Sequence, residues 1–358
     1  MKVSQLLACV LLTATSAVLV SCGGGAKSVI VPPPVTDVYV AGFQLGNSTG
    51  ISGLYWKNGT PVTIAGGIPG YINAITVSGN DVYLAGLAAG SRYDVATYWK
   101  NGIPVTLTDG TTEIPSVRSI FVSGTDVYVA GRDYVLGTDN GSVAVYWKNG
   151  VKVPLSDGTQ AAQAFSIQVS GPDVYVAGDE IKPIFVPPST ITNYRVAKYW
   201  KNGVPVELTD GTQEAGALSM FVSGSDVYAG GFACRAFPSS CSATYWKNGA
   251  PVALSTVNGT LATSIIVSGS NVYALGAQLG AGMLLWKNGT PVTLGGSEYT
   301  EANQVVVSGQ DVYVAGARKA QQGAAIQATY WKNGVPVELP VGPDTAQSYA
   351  TSIAVVTH

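Results

Sequence analysis

The side chains that could perform chemistry are few, and they are not arranged for catalysis. The only histidine among 358 residues is the last one, His358. A Ser-His-Asp triad or a histidine-ligated metal therefore has no plausible centre. Paired carboxylates ~5–10 Å apart could hydrolyse glycosides, but no motif singles out such a pair. Phosphate-binding loops and dinucleotide fingerprints are absent too. We therefore expect a protein that is not an enzyme and uses no cofactor or metal.

Two cysteines bound one short segment, Cys-Arg-Ala-Phe-Pro-Ser-Ser-Cys, at Cys234 and Cys241. Two thiols without a nearby histidine make an incomplete zinc set. In an oxidising compartment an even pair of this kind is expected to form a disulfide that restrains its loop. The sequence therefore predicts a Cys234–Cys241 disulfide.

A candidate binding surface is indicated by arginines and aromatic residues that lie outside the repeated phrases of the chain. The arginines are Arg92, Arg118, Arg132, Arg195, Arg235 and Arg318. The aromatic residues chosen with them are Tyr93, Tyr134, Tyr194, Phe237 and Tyr299. Arg and Tyr are enriched in binding interfaces. The alternative is that these residues are polar simply because loops are exposed.

These candidates must be positioned by an internal repeat. The phrase Trp-Lys-Asn-Gly uses every tryptophan in the chain and occurs at Trp56, Trp99, Trp147, Trp200, Trp246, Trp286 and Trp331. A phrase close to Asp-Val-Tyr-x-x-Gly begins at Asp37, Asp81, Asp126, Asp173, Asp226, Asn271 and Asp311. Repeats of 40 to 53 residues indicate a propeller or a solenoid.

Each repeat predicts four strands. In one copy they are Ser119–Val122, Asp126–Ala130, Val143–Trp147 and Val151–Leu155. Asn-Gly between the last two strands is the strongest short hairpin signal, because both central residues of a type I′ turn need positive φ. The strands are apolar on both faces, which four-stranded blades packed radially against each other would satisfy. Each tryptophan should fill the space between two blades.

The two ends of the chain predict ring closure. The first copy begins at its second strand, Asp37–Ala41, and the C-terminus supplies the missing first strand, Ser352–Val356. Pairing the two would leave no free edge in the ring. A solenoid would instead need atypical capping repeats at its ends. We therefore predict an all-β, closed, seven-bladed β-propeller of four-stranded antiparallel blades.

The two faces of such a ring should differ. The connections between strands one and two, and three and four, are short and nearly invariant, and we call their face the short-turn face. The other connections vary in length and form the long-loop face, to which the arginines are assigned.

On the short-turn face, an Asp that opens strand two and a Lys that closes strand three should form a cross-strand pair in each blade. A ring of lysines that binds an anion is the alternative. Three Asp-Gly-Thr triplets, at Asp109, Asp157 and Asp210, are predicted turns.

The repeat unit can now be compared with known ones. The order Ser-Ile-x-Val-Ser-Gly-x-Asp-Val-Tyr-Val-Ala-Gly, followed by Tyr-Trp-Lys-Asn-Gly-x-Pro-Val-x-Leu, resembles kelch-like propeller repeats. It is more similar to extracellular HAF-type repeats, in which a Val-Val-Gly-like strand precedes a Leu-Trp-x-x-Gly hairpin. The Gly-Gly pair typical of kelch repeats ends the Asp-Val-Tyr-x-x-Gly phrase in one copy, at Gly230 and Gly231. The resemblance implies a secreted or surface-bound propeller and no particular activity.

The N-terminus predicts export and a lipid anchor. Lys2 precedes an apolar run from Leu6 to Val20, which is too short for a confident membrane span. The sequence Leu19-Val20-Ser21-Cys22 resembles the bacterial lipobox, in which the cysteine carries the lipid. An ordinary secretory signal is the alternative. We divide the chain into a signal peptide (1–21), a lipidated Cys22 with a tether (22–34), and the propeller (35–358).

Composition limits the function classes. Charged residues make up 11% and hydrophobic residues 46% of the chain, which is not the composition of a disordered protein. The net charge of −2 provides no basic field that would attract nucleic acid. We expect a monomer in the bacterial cell envelope, anchored through Cys22 to the outer membrane, on either its periplasmic or its surface side.

The function predicted from these observations is a non-catalytic scaffold that binds a protein, peptide or glycan through its long-loop face. One alternative is an extracellular polysaccharide-active hydrolase or lyase on the same fold, which would require carboxylates that converge over the central channel. The other is a structural assembly factor of the envelope, which would require a broad apolar patch on the rim.

Overall fold

The computed structural model describes residues 35–48, 50–62, 64, 70–135, 141–186, 190–235, 240–278, 282–292, 300–319 and 324–358. Regular structure in these ranges is β-strand throughout, so they contain no helix that could span a membrane. The stretch Val35–His358 is one compact unit. The predicted signal peptide and tether, including Cys22, lie outside the described residues.

Twenty-eight strands form seven sheets of four, each a blade of the ring. Blade 1 contains β1 (Thr36–Gly46), β2 (Gly50–Lys57), β3 (Thr60–Val62) and β28 (Thr345–Thr357). Blade 2 contains β4 (Gly70–Ser78), β5 (Asp81–Ala88), β6 (Val95–Lys100) and β7 (Ile103–Thr106). Blade 3 contains β8 (Glu113–Ser123), β9 (Asp126–Val135), β10 (Ser142–Lys148) and β11 (Val151–Pro154). Blade 4 contains β12 (Ala162–Ser170), β13 (Asp173–Val186), β14 (Thr190–Lys201) and β15 (Val204–Glu207).

The remaining blades repeat this order. Blade 5 contains β16 (Ala215–Ser223), β17 (Asp226–Cys234), β18 (Cys241–Lys247) and β19 (Ala250–Ala253). Blade 6 contains β20 (Thr260–Ser268), β21 (Asn271–Gln278), β22 (Gly282–Lys287) and β23 (Thr290–Val292). Blade 7 contains β24 (Thr300–Ser308), β25 (Asp311–Arg318), β26 (Gln327–Lys332) and β27 (Val335–Glu338). The predicted seven-bladed β-propeller of antiparallel blades is confirmed.

Closure of the ring follows the prediction. β28 pairs antiparallel with β1, from Thr36 opposite Thr357 to Gly46 opposite Thr345. The His358 amide also donates a hydrogen bond of 2.9 Å to the Val35 carbonyl. Blade 1 therefore combines both ends of the propeller unit, and both of these ends lie on the short-turn face.

The Asn-Gly turns form because asparagine tolerates the left-handed conformation. The seven turn asparagines have φ between 50° and 52°. Each side chain also bonds to the neighbouring hairpin; for example, Asn58 Oδ1 accepts a 2.8 Å hydrogen bond from the Val38 amide. The turn thus fixes the distance between strand two and strand three as well as reversing the chain.

The core of the protein lies between blades rather than within one sheet. Seven apolar clusters are present among the described residues, each made by two neighbouring blades. No tryptophan is more than 4% exposed, which confirms their predicted place between blades. The Trp56 indole also donates a 2.7 Å hydrogen bond to the Pro340 carbonyl of blade 7. Both faces of each sheet are therefore buried, as the apolar strands predicted.

Candidate functional site

The first strand of every blade lines the central channel of the ring. Each of these strands contains a β-bulge, an extra residue that has no partner on the second strand. The bulge residues are Asn73, Arg118, Phe165, Leu218, Thr263, Asn303 and Thr351. They lie around a cavity of about 130 Å³ in the part of the channel nearer the long-loop face.

A glycine of the second strand permits each bulge. A Cβ atom added to Gly276, for example, would lie 1.8 Å from the carbonyl oxygen of Leu261. The same contact, at 1.8 to 2.0 Å, would occur at Gly42, Gly86, Gly131, Gly178, Gly231 and Gly316. Real atoms cannot approach so closely, so the bulge of the channel wall requires the repeated glycine of the second strand.

The residue after the bulge joins neighbouring blades around the channel. Ser119 Oγ accepts the Ile167 amide hydrogen of the next blade, and equivalent bonds recur at Ser166, Ser219, Ser264, Gln304 and Ser352. These bonds are 2.8 to 3.3 Å long. The repeated Ser-Ile phrase therefore positions the channel wall.

Four of the seven bulge side chains also tie blades together. Asn73 and Asn303 each donate a side-chain hydrogen bond to a carbonyl of the next blade, at 2.8 and 2.9 Å. Thr263 and Thr351 do the same through their hydroxyl groups, at 3.3 and 2.8 Å. Within the described residues, Arg118, Phe165 and Leu218 make no such bond. These three occupy consecutive blades, so one sector of the channel mouth carries side chains that the ring does not use.

Arg118 is the only charged side chain among the described residues that line this cavity. Burial by the channel wall lowers the pKa of its guanidinium, and the nearby guanidinium of Arg132 lowers it further. The side chain nevertheless remains exposed to the solvent of the channel. Among the residues that the structure describes, none forms a salt bridge with Arg118. A cation in this position suits an anionic ligand.

A network of polar groups lies beside this sector, where blades 3, 4 and 5 meet. Arg132 Nη1 lies 3.4 Å from Gln163 Oε1 of blade 4. Glu214 of blade 5 accepts a 2.8 Å hydrogen bond from the Arg195 amide. The Arg195 guanidinium is 3.8 Å from Asp179 and 3.9 Å from Glu214, which is too long for hydrogen bonds. The two carboxylates are therefore held near an arginine that is not firmly bound to either.

Asp179 is the most perturbed acid of this network. It is 2% exposed, and its Oδ1 atom has no hydrogen-bond partner. Burial raises the pKa of Asp179 to about 7; Arg195 opposes this rise, and the Glu214 carboxylate reinforces it. Half of the molecules would therefore carry a protonated Asp179 near neutral pH, a property shared by many catalytic acids.

Three further acids of blades 3 and 4, of which Asp133 is fully buried, have lysine partners. Asp133 of β9 contacts Lys152 of β11, which also contacts Glu113 of β8. Burial raises the pKa of Asp133 although Lys152 opposes this. Lys198 and Glu180 form the corresponding pair in blade 4. These acids are neutralised inside their own blades.

The short-turn face repeats one polar motif. An ion pair of 2.8 to 2.9 Å joins strand two to strand three in Lys57–Asp37, Lys100–Asp81, Lys148–Asp126, Lys201–Asp173, Lys247–Asp226 and Lys332–Asp311. The predicted cross-strand pair is thus confirmed in six blades. In blade 6 the equivalent residue is Asn271, and Lys287 lies over the Tyr273 ring at 5.4 Å. Because most of these lysines are neutralised, the alternative of a lysine ring for anions is not favoured.

The arginines lie at the long-loop end of their blades, but their assignment to loops was wrong for four of them. Arg118, Arg132, Arg195 and Arg318 belong to β8, β9, β14 and β25. These strands extend further than the repeat pattern indicated; β8, for instance, begins at Glu113 rather than Ser119. Pro115 fits within it because β8 is the inner edge strand of its sheet.

The predicted surface residues do not form one cluster. Arg92 lies over the Tyr93 ring at 5.2 Å, in the connection between β5 and β6. Arg318, in blade 7, forms a 2.6 Å ion pair with Glu338. Tyr134 is exposed on β9, Tyr194 is half-buried on β14, and Arg235 is exposed after β17. Phe237 and Tyr299 lie outside the described residues.

Other predicted local features are present. Cys234 and Cys241 form a disulfide at the long-loop end of blade 5. The Asp-Gly-Thr triplets are turns; the Asp109 carboxylate accepts hydrogen bonds from the Thr111 and Thr112 amides, which lower its pKa to about 2. Among the described residues, no group of three or more metal-ligating side chains is close enough to hold a metal ion.

The sequence reasoning named Arg118 but missed Phe165, Leu218 and their common position at the channel mouth, although a signal existed. The residue before Ser-Ile varies from copy to copy, while the residues on both sides of it repeat. A single variable position inside a repeated strand indicates a side chain that is not required by the core. Here it marks the bulge that faces the channel.

The comparisons with known proteins concern the fold. No protein-family model and no curated protein matches the sequence. Among solved structures, the β-propeller domain of the trilobed protease from Pyrococcus furiosus is similar, with a TM-score of 0.54 and 10% identity over 85% of this chain and 94% of that one. That propeller is described as having an open velcro topology, whereas β28 closes the ring here. At this identity the likeness shows the fold alone.

A second solved structure is the acylaminoacyl peptidase of Pyrococcus horikoshii. It matches with a TM-score of 0.49 and 11% identity over 86% of this chain. This chain spans half the length of that peptidase.

Proposed function

We propose that this protein is a non-catalytic binding scaffold of the bacterial cell envelope that recognises its partner through the long-loop face. One observation carries the proposal, namely the contrast between the two faces of the ring. On the short-turn face, six of seven lysines are paired within their own blades. On the long-loop face, Arg118 and Arg132 lie near each other, and neither forms an ion pair with a described residue.

The position of the first and last residues of the propeller supports the same orientation. Val35 and His358 are bonded to each other on the short-turn face. A chain anchored through Cys22 and the tether of residues 22–34 would therefore enter the propeller on the side opposite the proposed binding face. The long-loop face would then remain accessible to a partner.

Charge reversal on the long-loop face tests the proposal. Arg92→Glu combined with Arg132→Glu should abolish capture of binding partners from envelope extracts, because two of the cations on this face change sign. The matched control is Lys247→Glu with Lys287→Glu, which makes the same change of charge on the short-turn face. Thermal unfolding confirms that each variant is folded. Equal capture by the wild type and the Arg92/Arg132 variant would refute the proposed face.

A polysaccharide-active enzyme is the second candidate, and Asp179 is the observation that favours it. A buried acid with a pKa of about 7 beside Glu214 has the properties of a general acid and its partner. The arrangement differs from an open catalytic site, because Asp179 is only 2% exposed. Cleavage of an envelope or extracellular polysaccharide that disappears in both Asp179→Asn and Glu214→Gln would favour this candidate over the scaffold.

A structural assembly factor is less well supported. The exposed apolar side chains of the rim include Ile103, Val151, Val204 and Val335. Each stands at the first position of the outer strand in a different blade. They are thus distributed around the ring, whereas an assembly surface would need a continuous apolar patch.

A further inference from the structure

We propose that the channel mouth binds the C-terminal carboxylate of a peptide that ends in an apolar residue. Arg118 would pair with the carboxylate, and Phe165 and Leu218 would contact the terminal side chain. This inference rests on the proposed function, because it names the ligand and the residues of the long-loop face.

The first argument is the availability of side chains. Four bulge residues, Asn73, Thr263, Asn303 and Thr351, already donate hydrogen bonds to the next blade. The other three stand side by side in blades 3, 4 and 5, and the ring does not use them. One is a cation and two are apolar. This combination matches a ligand in which an anionic group stands next to an apolar side chain.

The second argument is electrostatic. The guanidinium of Arg118 is surrounded by the channel wall and lies near the guanidinium of Arg132. Both effects disfavour a charged group unless an anion binds to it. An arginine also offers two parallel N–H groups to a carboxylate, which gives geometric specificity as well as affinity. A ligand carboxylate would therefore relieve a repulsion that the unbound protein contains.

The third argument is size. The cavity of about 130 Å³ is smaller than the roughly 300–1,000 Å³ typical of sites that enclose a drug-sized ligand. It can admit the end of a chain, and a second cavity of about 250 Å³, which shares Ser119, Ser166 and Ser219 with it, continues deeper along the channel. The remainder of a peptide would then extend over the long-loop face.

A peptide fits this sector better than an acidic sugar. Sugar hydroxyl groups require several hydrogen-bond donors and acceptors directed at the ring. Here the amide and hydroxyl groups of the opposite half of the mouth each already donate a hydrogen bond to the next blade, which leaves fewer donors for a sugar. Phe165 and Leu218 would leave such hydroxyl groups without partners. An apolar side chain of a peptide would instead be buried favourably by them.

The test uses isothermal titration calorimetry of the protein with N-acetyl-Gly-Gly-Ser-Ala-Leu as the free acid and as the C-terminal amide, and with glucuronic acid. We expect the free acid to bind at least about tenfold more tightly than the amide, since a charge-assisted pair is lost. Arg118→Gln should lose this preference, and Arg118→Lys should retain part of it. Lys287→Gln is the matched control, since it removes one charge from the short-turn face and should bind like the wild type.

Stability distinguishes recognition from a structural role. If Arg118 serves a ligand, its removal relieves the repulsion with Arg132, and the unfolding midpoint of Arg118→Gln should be equal to or higher than that of the wild type. A lowered midpoint together with unchanged binding would overturn the proposal. It would also be overturned by equal binding of acid and amide, by glucuronic acid binding where the peptide acid does not, or by no binding of the acid up to about 1 mM.

Failure of the channel-mouth site can be distinguished from failure of the proposed long-loop binding face. If the Arg92/Arg132 double variant loses its partner while Arg118→Gln keeps it, the long-loop face is correct and only the channel-mouth site is wrong. If neither variant affects capture, the binding face itself is wrong.

Discussion

Asp179→Asn tests how the protein accommodates a buried carboxylate. Burial raises the pKa of Asp179 from 3.8 to about 7. At 1.36 kcal/mol per pH unit, this corresponds to about 4 kcal/mol of free energy that disfavours the ionised form in the folded protein. Asparagine keeps the shape of the side chain but cannot ionise. The nearby Arg195 side chain is 43% exposed and can be solvated when the carboxylate is removed.

The sign of the pH dependence follows from the direction of the shift. Because the folded protein has the higher pKa, it binds more protons than the unfolded chain between about pH 4 and pH 7. The free energy of unfolding contributed by Asp179 therefore decreases as the pH rises through this window and is constant above it. The variant should lack this decrease. It should resemble the wild type at about pH 4 and be more stable by up to about 4 kcal/mol at about pH 8.

Guanidinium denaturation followed by tryptophan fluorescence, repeated from about pH 4 to about pH 8, measures this difference. The signal should be large because all seven tryptophans are buried. Asp109→Asn is the control, since turn amides lower the pKa of Asp109 to about 2; it should lose stability at neutral pH and show no added slope in this window. Parallel curves for the wild type and Asp179→Asn, or a less stable variant at about pH 8, would mean that Asp179 is ionised and stabilised by Arg195.

Three further predictions concern the ring. Gly276→Ala should destabilise the protein by about 3 kcal/mol or more in denaturant titrations, because its methyl group would lie 1.8 Å from a backbone oxygen. Gly342→Ala is the control. It has space for a methyl group and should be nearly neutral. A disulfide between cysteines at Thr36 and Thr357 should raise stability by up to about 5 kcal/mol relative to the reduced form, since it closes almost the whole chain. Asn271→Asp should supply the ion pair missing from blade 6 and raise the unfolding midpoint by about 1 °C or less, an increase that about 1 M salt should remove.

The fold could be predicted from the sequence because its determinants are local and repeated. The Asn-Gly turns specify hairpins without reference to distant residues. The pairing of β28 with β1 was predictable because the first copy lacks a strand that the last residues of the chain supply. The Asp–Lys pairs were predictable from the same register. Asp37 opens strand two and Lys57 closes strand three, so in an antiparallel sheet the two residues lie at the same end.

The candidate site could not be predicted in the same way, because it depends on irregular features and on neighbouring blades. Arg118 was assigned to a loop because the repeated strand pattern starts at Ser119. A bulge at Arg118 interrupts the alternation of side chains, so the preceding residues did not resemble a strand. The burial of Asp179 was equally hidden, because the charged groups near it include Glu214 of blade 5 and Arg132 of blade 3 as well as Arg195 of its own blade.

The hydrogen bond between His358 and Val35 places the first and last residues of the propeller next to each other. A short linker could join these two residues, and the chain could be opened instead at an Asn-Gly turn or at a connection between other blades. Such circular permutants should keep the same channel and the same blade junctions. They would also move the point of attachment to any chosen side of the disc, which would allow the long-loop face to be presented on a support in different orientations.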